Sequence, residues 1–239
     1  MKILITGSTS GIGKQLALDY ALDGHEVWGI GRNAAKLAEL EKQNIHTAQV
    51  DLTSYQEAMA WFGSLEKLDL AILNAGTCEY LDMPNFDSAM VSRVMRGNIE
   101  SMAISIEGVI PLLQKGTRPH LVGVGSSAAY LPLPRAEAYG SSKAAIEYMM
   151  KTLQITLAPH GIDVSLVCPG FVKTPLTDKN DFSMPFLIDT VEASRSIRNG
   201  IKRRTKEIHF PKRLTYSMKI LSMLPSAMWR SLARKMVAQ

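Results

Sequence analysis

Short, continuously apolar runs alternate with segments of helical period along most of the chain. That alternation constrains the fold more than any other feature. Residues 2–6, 25–30, 45–50, 68–73, 120–125, 162–167 and 207–210 read as strands. After the first strand, Ile12, Leu16, Ala17 and Tyr20 share one helical face, and helices are predicted over residues 34–41, 55–62, 86–95, 99–113, 137–157 and 190–201. A strand that is apolar throughout is covered on both faces, so the pattern predicts a parallel sheet between two helical layers. Right-handed crossovers then give an α/β, Rossmann-type doubly wound fold of about seven strands. The 239 residues, 46% apolar and 21% charged, suit one such domain with its own core. Residues 1–210 are predicted to form it, followed by a basic amphipathic helical extension over 211–239.

Thr6-Gly-Ser-Thr-Ser-Gly-Ile-Gly13 joins the first strand to the first helix. Glycines suit a sharp turn whose backbone must approach a pyrophosphate closely, and the helix N-terminus offers free N–H groups to the anion. The candidate contacts are Gly7, Ser8, Ser10, Gly11, Ile12 and Gly13.

Tyr139-Gly-Ser-Ser-Lys143 opens the longest helix, and positions i and i+4 project from the same face. A lysine cation beside a phenol favours the phenolate, making tyrosine a workable general acid/base. Val124-Gly-Ser126-Ser127 ends the fifth strand, at the carboxyl edge where doubly wound sheets bind ligands.

The T-G-x-x-x-G-x-G spacing, followed by these motifs in this order, resembles the short-chain dehydrogenase/reductase family over about residues 2–209. The resemblance implies catalytic roles for Asn98, Ser126, Tyr139 and Lys143. The family spacing of thirteen residues before the tyrosine selects Ser126, with Ser127 as the second choice. It also implies that Asp51 and Leu52 meet the adenine, that Asn74, Ala75 and Gly76 lie against the adenosine ribose, and that Lys143 and Tyr139 reach the nicotinamide ribose. Pro169, Gly170, Val172 and Thr174 would border the nicotinamide. Asp51 equally suits a helix cap. The implied reaction is hydride transfer between a nicotinamide and a small carbonyl or alcohol, with Tyr139 moving the proton. A binding protein of the same fold without turnover, a sensor or scaffold for NADP(H), is the alternative.

An acid at the end of the second strand would bind the adenosine ribose hydroxyls and repel a 2′-phosphate. That position is Gly31, followed by Arg32, whose guanidinium suits a phosphate dianion. NADP(H) is therefore the expected cofactor, with NAD(H) the alternative. Ser10 stands where NADP-preferring relatives often carry a basic residue, and Lys14 lies too far into the helix to replace it.

The remaining features bound partners and location. Five scattered histidines support no metal site. Cys78 and Cys168 read as reduced, buried thiols of a cytoplasmic protein, since no leader precedes the first strand and no apolar run reaches the ~18 residues of a membrane span. Residues 201–239 hold ten basic side chains against Glu207 alone. There Leu214, Met218 and Leu221, then Met228, Leu232 and Met236, recur at helical spacing on either side of Pro225. Packing against the domain or a subunit neighbour is one reading, and a homodimer or homotetramer is expected. Contact with a membrane surface through Trp229 and the basic residues is the other. No nucleic-acid motif accompanies the charge. Leu131-Pro-Leu-Pro134 and a lid bearing Phe182, Met184, Pro185 and Phe186 are expected to border the substrate.

Overall fold

A computed structural model describes residues 1–237 of the chain; the side chains of Met236 and Val237 lie outside that description, including the helical-spacing position assigned to Met236. Seven parallel strands form one sheet in the order β3-β2-β1-β4-β5-β6-β7. They are β1 (Lys2–Thr6), β2 (Glu26–Gly31), β3 (His46–Gln49), β4 (Leu70–Leu73), β5 (His120–Val124), β6 (Asp163–Pro169) and β7 (Glu207–Phe210). The chain winds outward from β1 to β3, returns to place β4 beside β1, and continues to β7. That reversal opens a crevice at the carboxyl ends of β1 and β4, where such sheets take ligands.

Strand pleating divides the core in two. Ile3, Ile5, Ile72 and Val122 pack with Leu16 and Ala17 of α1 (Gly11–Leu22) and with Ile197 and Ile201 of α7 (Thr190–Lys202). Leu4, Leu73 and Leu121 point the other way. They meet Phe62 of α3 (Tyr55–Gly63), Val109 and Leu113 of α5 (Ser101–Leu113), and Ile146 and Met150 of α6 (Glu137–Thr156). Alternate residues of one strand thus bury against opposite layers, as a doubly covered sheet requires. The helix α2 (Ala34–Glu41) carries Leu40 into the first of these cores.

Three local departures from the sequence expectation have identifiable causes. The fourth strand begins at Leu70, because the Leu68 N–H is used by the Leu112 carbonyl at 3.0 Å, outside the ladder. The second begins at Glu26, because the His25 N–H closes the end of α1 on the Tyr20 carbonyl. The expected gap between helices near residue 97 is absent. The helix α4 (Ser88–Met95) runs into α5 through a π-helical turn, Arg96–Glu100. Such single π turns interrupt helices mostly at functional positions.

The C-terminal segment folds as α8 (Lys212–Ser222) and α9 (Ser226–Val237). Leu214 and Thr215 bury the inner side of α8, and Lys219 meets Glu207 of β7 at 2.7 Å. The placement of Trp229 in a membrane is corrected. Its ring is buried and its Nε1–H donates to the Pro132 carbonyl at 2.9 Å, so the indole anchors α9 to the protein.

Candidate active site

The crevice between β1 and β4 is a cleft of about 710 Å³. Gly7, Ser10, Gly11 and Ile12 form its floor, with Arg32, Asp51, Leu52, Asn74, Ala75, Gly76 and Thr174 around it. Ser10 is the N-cap of α1, with extended backbone and no side-chain cap bond. The first-turn N–H groups of α1, at the cleft, therefore have no intrahelical partner and face any bound anion with the positive end of the helix dipole.

Gly13 does not line the cleft; its role is close packing. A Cβ there would stand 2.4 Å from the Gly7 carbonyl oxygen and 2.5 Å from Asn74 Nδ2. Asn74 ties the end of β4 to the loop, donating through Nδ2 to the Thr6 and Gly7 carbonyls at 3.1 and 3.3 Å. Thr6 Oγ1 accepts from the Asn74 and Ala75 N–H groups at 2.9 and 3.0 Å. One expected contact is corrected here. The Ser8 side chain turns into the protein, where its hydroxyl donates to the Ile30 carbonyl at 3.3 Å, and it is not among the lining residues.

At the far end of the cleft, Gly31 packs against the phosphate loop, where a Cβ would meet Thr9 Cγ2 at 2.7 Å. A side chain there would require the Thr9 side chain to turn away. Arg32 is exposed and lines the cleft, whereas Lys14 is engaged elsewhere, with Glu39 at 3.1 Å. Asp51 accepts from the Thr53 N–H and hydroxyl at 2.9 and 2.8 Å. The Thr53 N–H holds its carboxyl below the usual range, helped by the hydroxyl, Arg32 and Arg96. Thr9 and Arg96 also line the cleft, and sequence reasoning missed both; Arg96 lies on the π turn, which no sequence signal marked.

The second half of the site lies at the carboxyl end of β5. Ser126 Oγ accepts from the Ala128 N–H at 3.1 Å, and its hydroxyl lies near enough to the Tyr139 phenol to favour the phenolate. Lys143 is buried; its Nζ lies 5.7 Å from the Tyr139 ring centre and donates to the Val124 carbonyl at 3.1 Å. Burial lowers the ammonium to about 8. Burial also pushes the Tyr139 phenol above its ordinary value, outweighing the effect of Ser126. The phenolate-favouring effect expected of Lys143 does not dominate in this arrangement, and Tyr139 is a protonated donor at neutral pH. The site joins the cleft at Gly76, where a Cβ would stand 3.5 Å from Lys143 Nζ.

Asn98 explains the π turn. Fully buried, it accepts from the Thr77 N–H at 2.7 Å through Oδ1 and donates through Nδ2 to the Thr77 carbonyl at 3.0 Å and Ser142 Oγ at 2.8 Å. The extra residue in the turn accompanies this bridge, which ties the loop after β4 that carries Gly76 and Thr77 to the helix that carries Lys143. Ser142 escaped the sequence reading although it sits inside the Tyr139–Lys143 motif. Ser127 is also buried at the strand end, but it is Ser126 whose hydroxyl lowers the Tyr139 phenol against the effect of burial.

Pro169, Gly170 and Val172 do not line the cleft. Gly170 packs under Leu214, and Val172 is buried in a bridge to Ile188. Cys78 is buried, as expected, but it lies near Tyr80, Tyr139 and Lys143, and burial pushes its thiol up. Tyr80 packs edge-on against Phe182 of the lid at 5.4 Å, and Phe182 against Phe171 at 6.1 Å. The Leu131–Pro134 stretch borders a separate groove of about 890 Å³ that also contains Met83 and Trp229.

The comparisons with known proteins agree with this geometry. Residues 1–183 match the family model described as short chain dehydrogenase. An uncharacterized oxidoreductase of Myxococcus xanthus is 31% identical over 98% of this chain and 96% of its own length. A 3beta-hydroxysteroid dehydrogenase of Mediterraneibacter gnavus is 30% identical over 74% of this chain and 68% of its own. Among solved structures, a short-chain dehydrogenase from Sphingobium yanoikuyae in complex with NADPH superposes with a TM-score of 0.79 at 23% identity, over 99% of this chain and 94% of that one. A short chain dehydrogenase/reductase from Burkholderia phymatum in complex with NAD gives 0.83 at 19% identity, over 91% of each. The chain belongs to the short-chain dehydrogenase/reductase family of NAD(P)-dependent oxidoreductases.

Proposed function

We propose that the protein is an NADP(H)-preferring oxidoreductase that interconverts a carbonyl and an alcohol, with Tyr139 as general acid/base. The carrying observation is the convergence of Ser126, Tyr139 and Lys143 beside the glycine-floored cleft. The cleft fits a dinucleotide, because Gly13 leaves no room for a Cβ and so lets backbone come close. Gly7, Ser10, Gly11 and Ile12 would hold the pyrophosphate, Arg32 the 2′-phosphate, Asp51 and Leu52 the adenine, and Asn74, Ala75 and Gly76 the ribose. When bound, the nicotinamide supplies or accepts the hydride. Ser126 orients the substrate oxygen and hydrogen-bonds it as charge develops. Tyr139, held protonated by burial, donates a proton to that oxygen in reduction and recovers it in oxidation. Lys143 and Asn98 act behind it, the ammonium positioned to hold the nicotinamide ribose and the amide fixing Thr77 and Ser142.

Tyr148 and Ile155 stand exposed on α6, which supports a homo-oligomer that covers them. Two unpaired buried thiols support a reducing, cytoplasmic setting.

The test is cofactor consumption by the purified protein across a panel of aldehydes, ketones and alcohols, repeated with Tyr139→Phe. Turnover by the wild type is expected to fall by at least about 100-fold in the variant, with NADPH binding retained. Near-normal turnover in Tyr139→Phe would refute the assignment. Tight NADPH binding with no turnover on any compound would favour a sensor.

A further inference from the structure

The outward faces of α8 and α9 carry more apolar surface than their neighbours. Tyr216, Ile220 and Met223 follow one another at helical spacing along α8 and its end, and are 54%, 66% and 83% exposed. Met228 and Leu232, one turn apart on α9, are 54% and 44% exposed. Met223 and Met228 flank the turn at Pro225, so the five side chains follow one another along both helices. The inner faces are already docked through Leu214, Thr215 and Trp229. Single apolar residues on a surface are ordinary, but a run along two consecutive helices marks an interaction surface.

Charge distinguishes between occupants. Residues 211–239 contain six basic side chains and no acidic one. Lys219 is matched by Glu207, and Lys212 lies 3.1 Å from His209 Nε2. Arg213 and Lys235 are exposed on the same two helices, while Arg230 and Arg234, also exposed, border the Leu131–Pro134 groove on the side of α9 that carries Trp229. A second copy laid symmetrically on this face would bring like charge against like. An anionic bilayer matches both components, its headgroups meeting the cations and its acyl boundary the apolar side chains.

We infer that α8 and α9 bind an anionic lipid surface through Tyr216, Ile220, Met223, Met228 and Leu232. Trp229, one candidate lipid contact in the sequence, instead fixes α9 to the body of the protein, so that the pair meets the membrane as a rigid unit. The contact is peripheral, since no helix among the described residues is long and apolar enough to cross a bilayer.

The experiment is flotation of the full chain with vesicles of phosphatidylcholine, alone or with about one third phosphatidylglycerol. Binding is expected only to the anionic vesicles, and to weaken by at least about tenfold between low and high salt. The double variant Ile220→Glu/Met223→Glu should lose it while keeping its thermal midpoint and NADPH affinity. Leu22→Glu, a charge placed on the exposed end of α1, should bind like the wild type. No flotation at low salt would overturn the proposal, as would equal flotation of the double variant. A dimer seen by light scattering, dissociated by the double variant and indifferent to vesicles, would assign the face to a second copy instead.

Discussion

The guanidinium of Arg135 meets the carboxylate of Asp181 at 2.6 Å, across 46 residues of sequence, and so fastens the lid to the opposite wall of the site. The same side chain donates to Asp82 at 2.9 Å and lies over the Tyr80 ring at 5.8 Å, and its carbonyl accepts from the Leu81 N–H at 3.0 Å. Three loops around the reacting centre therefore share one clasp. Both carboxylates are largely exposed, so the clasp is weak and screened by salt. Arg135→Met is expected to raise KM for the carbonyl about two- to fivefold with a smaller change in kcat. The wild-type KM should drift upward with added salt and the variant's should not. Parallel salt responses would remove the clasp from the account.

The proposed preference for NADP(H) rests on Gly31 and Arg32. With glycine at residue 31, no acid stands at the end of β2, and the neighbouring charged side chain at the cleft is Arg32. Arg32→Asp should shift the ratio of kcat/KM for NADPH over NADH by at least about tenfold toward NADH, since a charge-assisted contact to phosphate becomes a repulsion. The readout is the ratio, because overall activity can fall with either cofactor. An unchanged ratio would return Arg32 to the status of a solvated surface residue.

Gly13→Ala tests the close packing of the loop. The added methyl would lie 2.4 Å from a backbone oxygen and 2.5 Å from the Asn74 side-chain amide, which its hydrogen bonds to the Thr6 and Gly7 carbonyls hold in place. A loss of about 1–3 kcal/mol of stability is expected, together with loss of measurable NADPH binding. Calorimetric titration and urea melts read the two effects separately. Wild-type affinity would show that the loop relaxes freely.

The strand-and-helix alternation was legible because most of the strands, the polar edge strand β3 excepted, are apolar on both faces, and periodicity reports that directly. The phosphate loop and the Tyr139–Lys143 pair were legible because each lies within a few residues of sequence. What escaped was set by contacts between distant segments. The π turn arises where Asn98 bridges Thr77 and Ser142, 21 and 44 residues away. Ser8 reads as part of the phosphate loop in sequence, yet its hydroxyl is taken by Ile30 on the neighbouring strand. Trp229 sits among basic residues in sequence, and only the fold reveals Pro132 opposite it. The raised phenol of Tyr139 likewise comes from burial, which spacing does not report.

Acid stability offers a test that is independent of the reaction. His120 is buried on β5, with Nε2 2.8 Å from Ser165 Oγ. The Ser165 hydroxyl donates to the Thr205 carbonyl at 2.7 Å, so its oxygen accepts from the ring, which fixes the Nε2–H tautomer. Among the described residues Nδ1 has no partner, so protonation would place a charge and a proton where nothing accepts them. Burial first, and Arg204 second, lower the ring to about 4. The unfolded chain binds that proton near 6.5, so the folded state is favoured above that pH and loses the advantage as pH falls from about 6.5 to about 4. The contribution lost is on the order of 3 kcal/mol. His120→Gln keeps a donor for Ser165 but cannot titrate. Unfolding free energies from urea melts at pH 7 and about 4.5 should therefore fall less in the variant than in the wild type. Part of the decline will persist in both, because His209 is also lowered to about 4. An identical decline in the two proteins would mean that His120 is protonated in the folded state without penalty.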